Sequence, residues 1–131
     1  MRFNDDKPIF AQIAELFAGD IVAGRIPPGD RLPSARDIAS SLEVNPNTAA
    51  RALQALSETG IARLERGTGY YVSETGAQIA RELRKTRFLD EEVPRLFRSM
   101  SDLGIGFEEI DRRWKDYESS AAMKSEKDGT A

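Results

Sequence analysis

The chain has 131 residues, 40% of them hydrophobic and 31% charged, which suits one small domain with a helical appendage. Cysteine and histidine are both absent, which excludes disulfides, thiolate metal sites, cysteine nucleophiles and histidine bases. The 19 basic and 22 acidic residues give a net charge of −3, a balance that taken alone argues against a nucleic-acid partner.

The opening residues Met1 to Asp6 carry no apolar signal region, and no run approaches the roughly 18 apolar residues that span a bilayer. The expectation is a cytoplasmic protein with no membrane segment. From Pro8 to about Gly24, Ile9, Ile13, Leu16, Phe17 and Ile21 recur every three or four positions, the mark of an amphipathic helix with one buried stripe. Pro27, Pro28 and Gly29 stop it, and Arg31-Leu32-Pro33 reads as a short extended lead to the next helix, Ala35 to Leu42. Ser34 stands three residues before Asp37, so its hydroxyl can cap that helix while the acid occupies the first turn. A second start follows almost at once at Asn45, a favoured N-cap, with Pro46 where a missing N–H costs nothing. Two helices joined by so tight a turn form a helix-turn-helix, a shape that can lay its second helix in the DNA major groove.

That second helix, Pro46 to Thr59, is expected to bury Ala49, Ala52, Leu53 and Leu56 and to present Asn47, Thr48, Arg51, Gln54 and Ala55 outward. Gly60 ends it. Ile61 to Arg66 and Tyr70 to Val72 are β-prone runs joined by Gly67-Thr68-Gly69, which predicts a hairpin. Of Tyr70 and Tyr71, one is expected in the core and the other as a lid. The order of elements is that of a winged helix-turn-helix, with the hairpin as the wing. Between Arg25 and Val72 the bases are Arg25, Arg31, Arg36, Arg51, Arg63 and Arg66, against Asp30, Asp37, Glu43, Glu58 and Glu65. This stretch is therefore nearly neutral, and its bases are all arginine, the better fork for phosphate and guanine.

Beyond Ser73 to Gly76 the chain turns long, charged and helical. Ile79, Leu83, Leu89, Val93, Leu96, Phe97, Met100 and Leu103 mark an apolar stripe, and Pro94 within it should kink or break the helix near Asp90. After a turn at Leu103 to Gly106, Phe107, Ile110, Trp114 and Tyr117 share one face of a last helix. From Ser119 the residues are small and polar without a period and read as a frayed tail. The fold expected is mainly α with a small β-hairpin. Residues 1–75 form the winged helix-turn-helix, 76–120 a C-terminal helical dimerisation region, and 121–131 a flexible tail.

At Leu32 to Thr48 and Glu65 to Val72 the sequence resembles the GntR family of bacterial transcription regulators. The matching features are the Pro27-Pro28-Gly29 turn, Leu32-Pro33-Ser34 followed by Arg36, the core positions Leu53 and Leu56, and the Arg66-Gly67-Thr68-Gly69 wing. Only 55 residues follow Gly76, and this short two-helix tail, with Val44-Asn45-Pro46-Asn47-Thr48, is similar to the YtrA branch of that family. The resemblance implies a dimeric repressor of a transporter operon, with Arg36, Asn45, Asn47 and Thr48, and Gly67 to Gly69 at the wing tip, placed at DNA. The sequence departs from many relatives at Pro46 and Ala50, where they carry arginine, so the base-reading set differs.

The candidate DNA-binding residues are Arg36, Asn45, Asn47, Thr48, Arg51, Arg66, Gly67, Thr68 and Gly69. Asn45 has a capping task already, whereas Asn47 and Thr48 stand at a helix N-terminus, where a phosphate or base edge can be met. Arg51, one turn on, could reach either or remain a solvated arginine. For Arg36, pairing with Asp37 or Glu43 is the plainer alternative, although such surface pairs contribute little. The candidate dimerisation residues are Leu89, Val93, Leu96, Phe97, Met100, Phe107, Ile110 and Trp114. Aromatic residues at helical spacing are more often packing than a ligand cage, and a second subunit would bury them while supplying the two-fold symmetry that paired half-sites need.

The reading is a homodimeric repressor on a short inverted repeat in double-stranded operator DNA, acting by occlusion, with no cofactor, no metal site and no catalytic constellation. It is not expected to be an enzyme. A small-molecule effector, its identity left open by the sequence, would act by changing the separation of the two heads. The rival is a winged-helix protein-interaction module without sequence-specific DNA binding, which the acidic balance would suit.

Overall fold

The computed structural model describes residue 3 and residues 6–129, the last five by their backbone alone. Most of the opening hexapeptide read for a signal, and the final two residues of the expected tail, lie outside the described residues. In chain order the elements are α1 (Ile9–Val22), α2 (Ala35–Leu42), α3 (Pro46–Glu58), β1 (Ala62–Glu65), β2 (Gly69–Val72), α4 (Gly76–Arg87), a π-helical turn (Phe88–Glu92), α5 (Val93–Leu103) and α6 (Phe107–Gly129). The chain divides into two compact units, the first through Thr86 and the second from Arg87.

In the first unit α3 is central, packed against α1, α2 and β1. It buries Ala49, Ala52, Leu53 and Leu56, the set its sequence period requires. The stripe on α1 differs from the one expected. Ile13, Ala18 and Ile21 are buried and Phe10, Ala14 and Phe17 pack against the core, while Ile9 and Leu16 are exposed at 44% and 39%. Ala49 and Ala52 of α3 are fully enclosed, side chains small enough to permit close helix packing. Ile38 and Ala39 of α2, Leu32, Ile61, Ala62, Val72 and Ala80 complete the core.

β1 and β2 pair antiparallel, Ala62 opposite Val72 and Glu65 opposite Gly69. Arg31 adds a single antiparallel bridge to Tyr71 on the other edge of β2. Both tyrosines are half-buried: Tyr70 packs against the core, and the Arg63 guanidinium lies 5.2 Å from the centroid of the Tyr71 ring. Gly76 opens α4 where its missing side chain is needed, since a Cβ there would stand 2.5 Å from the Ile61 carbonyl oxygen. Ala77, Ile79 and Ala80 then pack on the core, so the first compact unit continues about one helix beyond the boundary expected at residue 75.

Pro94 neither ends the helix with a cap nor bends a regular one. With no N–H of its own, it cannot complete the bond to the Asp90 carbonyl, and the backbone takes a π turn in which the Val93 N–H donates to the Phe88 carbonyl, five residues back. In the second unit none of the described residues is buried. Leu89, Leu96, Phe97, Leu103, Phe107, Trp114 and Tyr117 are exposed, with Val93, Met100 and Ile110 half-covered. The Trp114 and Tyr117 rings stack with centroids 5.8 Å apart. The tail expected from residue 121 is helical as far as Gly129. Alanine, methionine, lysine and glutamate favour helix without any apolar period, and the ion pairs Glu109 with Arg113 (3.0 Å) and Asp111 with Lys115 (3.0 Å) support the preceding turns.

Candidate nucleic-acid interface

The helix-turn-helix is set by its caps. The Ser34 hydroxyl accepts the Asp37 backbone N–H at 3.1 Å and starts α2. α2 ends at Glu43, whose φ of 56° is left-handed, with the Val44 N–H returning to the Ala39 carbonyl at 3.0 Å. Two residues later the Asn45 carboxamide oxygen accepts the Asn47 backbone N–H at 2.8 Å, with Pro46 in the first helical turn. One lone pair of the Asn45 oxygen is therefore committed, and the two N–H donors of its single amide nitrogen remain for another partner.

Beyond that cap, Asn47, Ala50, Arg51 and Gln54 are exposed along α3, with Thr48 and Ala55 half-buried. Arg51 is not a free surface arginine: its guanidinium stacks over the Phe10 ring of α1, 4.1 Å from the centroid. Arg36 is exposed on α2, and no anionic group among the described residues pairs with it. Its expected neighbours Asp37 and Glu43 leave it unneutralised.

In the wing, Arg66, Gly67 and Thr68 form a three-residue connection closed by the Thr68 N–H and hydroxyl, each donating to the Glu65 carbonyl at 3.1 Å. Arg66 is exposed and has no partner among the described residues, whereas Arg63 is held by Glu65. The wing, the start of α2 and the outer face of α3 converge on one shallow hollow of about 180 Å³, lined by Arg31, Leu32, Pro33, Ser34, Ala35, Ala50, Leu53, Gly69 and Tyr70. Its floor is apolar and its rim carries the Arg31 charge.

The candidates Arg36, Asn45, Asn47, Thr48, Arg51 and Arg66 to Gly69 all belong to the first compact unit, and the candidate dimerisation residues Leu89 to Trp114 all belong to the second. Sequence reasoning counts Arg31 among the arginines of the head and notes Ala50 as a departure from relatives, but assigns neither a contact, and it does not name Phe10. The only advance signal for Arg31 was that it stands beside a proline-bounded extended segment. Among the described residues no cluster of acidic, histidine or cysteine side chains could hold a metal ion, and no helix is long and apolar enough to cross a membrane.

Comparison with known proteins bears on this surface directly. Residues 10–72 match the family model described as bacterial regulatory proteins, gntR family. The chain is 36% identical over 109 residues to the HTH-type transcriptional regulator YhcF of Bacillus subtilis, covering 83% of this chain and 88% of that one. It is 32% identical over 103 residues to the HTH-type transcriptional repressor YtrA of the same organism, covering 79% and 78%. Among solved structures, a GntR family transcriptional regulator from Listeria monocytogenes superposes with a TM-score of 0.69 at 38% identity over 87% of this chain and 98% of that one. BusR of S. agalactiae, solved in complex with its busA-promotor DNA, superposes with a TM-score of 0.57 at 25% identity over 88% of this chain and 55% of that one.

Proposed function

The chain belongs to the GntR family of bacterial regulatory proteins and is a DNA-binding transcriptional regulator, not an enzyme; from that premise we propose that it is a homodimeric repressor of a short inverted repeat. In this reading α3 enters the major groove, with Asn47 and Thr48 at its start reading base edges or phosphate. Asn45 contributes its free amide, and Arg51 reaches the backbone from its seat on Phe10. Arg36 from α2, and Arg66 with Gly67, Thr68 and Gly69 from the wing, hold the flanking strand. Repression follows by occlusion where the repeat overlaps a promoter.

The observation that carries this reading is the exposure of Arg36 on α2 and Arg66 in the wing, neither paired with an anionic group among the described residues. An arginine left unpaired on a surface with a net negative chain suits an anionic partner. Dimerisation is supported by the second unit, where Leu89, Leu96, Phe97, Leu103, Phe107, Trp114 and Tyr117 are exposed. Phe107, Ile110, Trp114 and Tyr117 recur at three- and four-residue spacing, a seam that a second copy could cover. Repression, the activity for which the B. subtilis relative YtrA is named, is the sign of control proposed here. A transporter operon is the first target to examine, following the resemblance to the YtrA branch.

Selection of bound sequences from random duplexes, with Asn47→Ala/Thr48→Ala as control, tests the reading. A palindromic motif lost in the control is the expected result. A folded dimer that enriches no motif would overturn it in favour of a protein-interaction module.

A further inference from the structure

We propose that Arg31 is an additional DNA-backbone contact of this interface, and that Gly69 serves as the platform on which its guanidinium rests. The inference rests on the DNA-binding face described above and adds to it a charge that no motif assigned.

Three observations carry it. The backbone of Arg31 is fixed as a one-residue third strand beside the wing: Leu32 N–H donates to the Tyr70 carbonyl at 2.8 Å, Val72 N–H to the Asp30 carbonyl at 2.9 Å, and Arg31 bridges Tyr71. The side chain then lies across Gly69, where an added Cβ would come within 3.0 Å of Nε, 3.3 Å of Nη2 and 3.5 Å of Cζ. Gly69 also has φ +130°, a conformation that side-chain-bearing residues rarely adopt. Finally, the charge is uncompensated. Arg31 is exposed and has no hydrogen-bond or ion-pair partner among the described residues, whereas Arg25 is paired with Asp20 at 2.8 Å and Arg63 with Glu65.

Position turns these facts into a role. Arg31 stands on the rim of the hollow where Ser34 and Ala35 of the α2 start, Ala50 of α3 and Gly69 of the wing meet. In the binding mode proposed above, a DNA strand running from α3 to the wing passes this hollow. A planar guanidinium held against a glycine loses less freedom on meeting a phosphate than a mobile lysine would, and it can offer two parallel N–H donors. The phosphate carries no sequence information, so Arg31 strengthens binding without choosing the operator.

The test measures affinity of the full chain against salt concentration, on the selected operator and on an unrelated duplex. Arg31→Ala is expected to weaken both by about tenfold and to flatten the slope of log affinity against log salt by about 0.9 for each bound subunit, with the selected motif unchanged. Gly69→Ala is expected to act in the same direction, and adding it to Arg31→Ala should cost little more. Arg31→Gln keeps a planar end over Gly69 without the charge, so a folded Arg31→Gln protein with the same flattened slope supports the proposal even where the alanine variant is unstable. An unaltered slope in a folded variant would overturn it, as would a loss confined to one base position. Wild-type protein that binds neither duplex would instead overturn the DNA-binding face itself.

Discussion

The guanidinium of Arg51 lies 4.1 Å from the centre of the Phe10 ring, which ties the exposed side of α3 to the beginning of α1. Phe10 is half-buried and Arg51 exposed, so the stack is partly hydrated and contributes about 0.5–1 kcal/mol. A double-mutant cycle on Phe10→Leu and Arg51→Ala, followed by urea denaturation, should return a coupling of that size. A coupling of zero would mean that the two side chains are merely adjacent.

Capping and reading can be separated at Asn45. Asn45→Ala removes the 2.8 Å bond to the Asn47 N–H and should cost about 1 kcal/mol of stability. Asn45→Ser keeps a capping oxygen and should restore most of it. Any loss of operator affinity that persists in the serine variant then reports the carboxamide nitrogen at DNA.

Glu43 holds a left-handed backbone, φ 56°, that glycine adopts freely. Glu43→Gly should relieve about 1 kcal/mol of that strain and return part of it through the greater freedom of the unfolded chain, a net gain of about 0.5 kcal/mol. Calorimetry should show the melting temperature rising by about 2–4 °C. A fall would show that the glutamate side chain has a stabilising contact of its own.

Gly76 is the position where α4 meets the wing's first strand. Gly76→Ala places a methyl 2.5 Å from the Ile61 carbonyl oxygen and 3.3 Å from Val72 Cγ1, neither of which has room to yield cheaply. Destabilisation of about 1–3 kcal/mol is expected from the forced shift. Denaturation at unchanged midpoint would mean that α4 can slide away without cost.

The exposed apolar residues of the second unit predict concentration-dependent stability. Phe97 and Trp114 are each 55% exposed, and covering such side chains with a second copy links folding to association. The melting temperature should rise with protein concentration, and Phe97→Asp should yield monomers in light scattering with weaker operator binding. A wild-type melt independent of concentration, with monomers throughout, would remove the dimer from the proposal.

Much of the head could be read from residue order, because its determinants are local. Ser34 and Asn45 announce their helices through caps that involve neighbours two and three residues away, and the α3 core set follows from one helical period. On α1, Ile13, Phe17 and Ile21 pack as their spacing predicts, but Ile9 and Leu16 are exposed, and Phe10 joins Ala14 and Ala18, weak in any hydrophobic pattern, in the core instead. The α6 helix beyond Ser119 escaped notice for the opposite reason, since a helix favoured by propensity alone leaves no apolar period. Of the proposed DNA contacts, Asn47, Thr48 and Arg36 are readable as motif positions. Arg31 is not, because its bridge to Tyr71 and its seat on Gly69 join segments forty residues apart in a way that no local signal encodes.

On α3 the enclosed side chains and most of the outward ones form separate sets, Arg51 excepted, since its guanidinium is outward yet stacks on Phe10. Ala49, Ala52, Leu53 and Leu56 are enclosed, whereas Asn47, Ala50 and Gln54 touch solvent and bear no packing. Substitutions in the outward set can therefore accumulate without unfolding the protein. If α3 reads DNA as proposed, a library at these outward positions can vary the surface that meets the operator while thermal stability stays nearly constant.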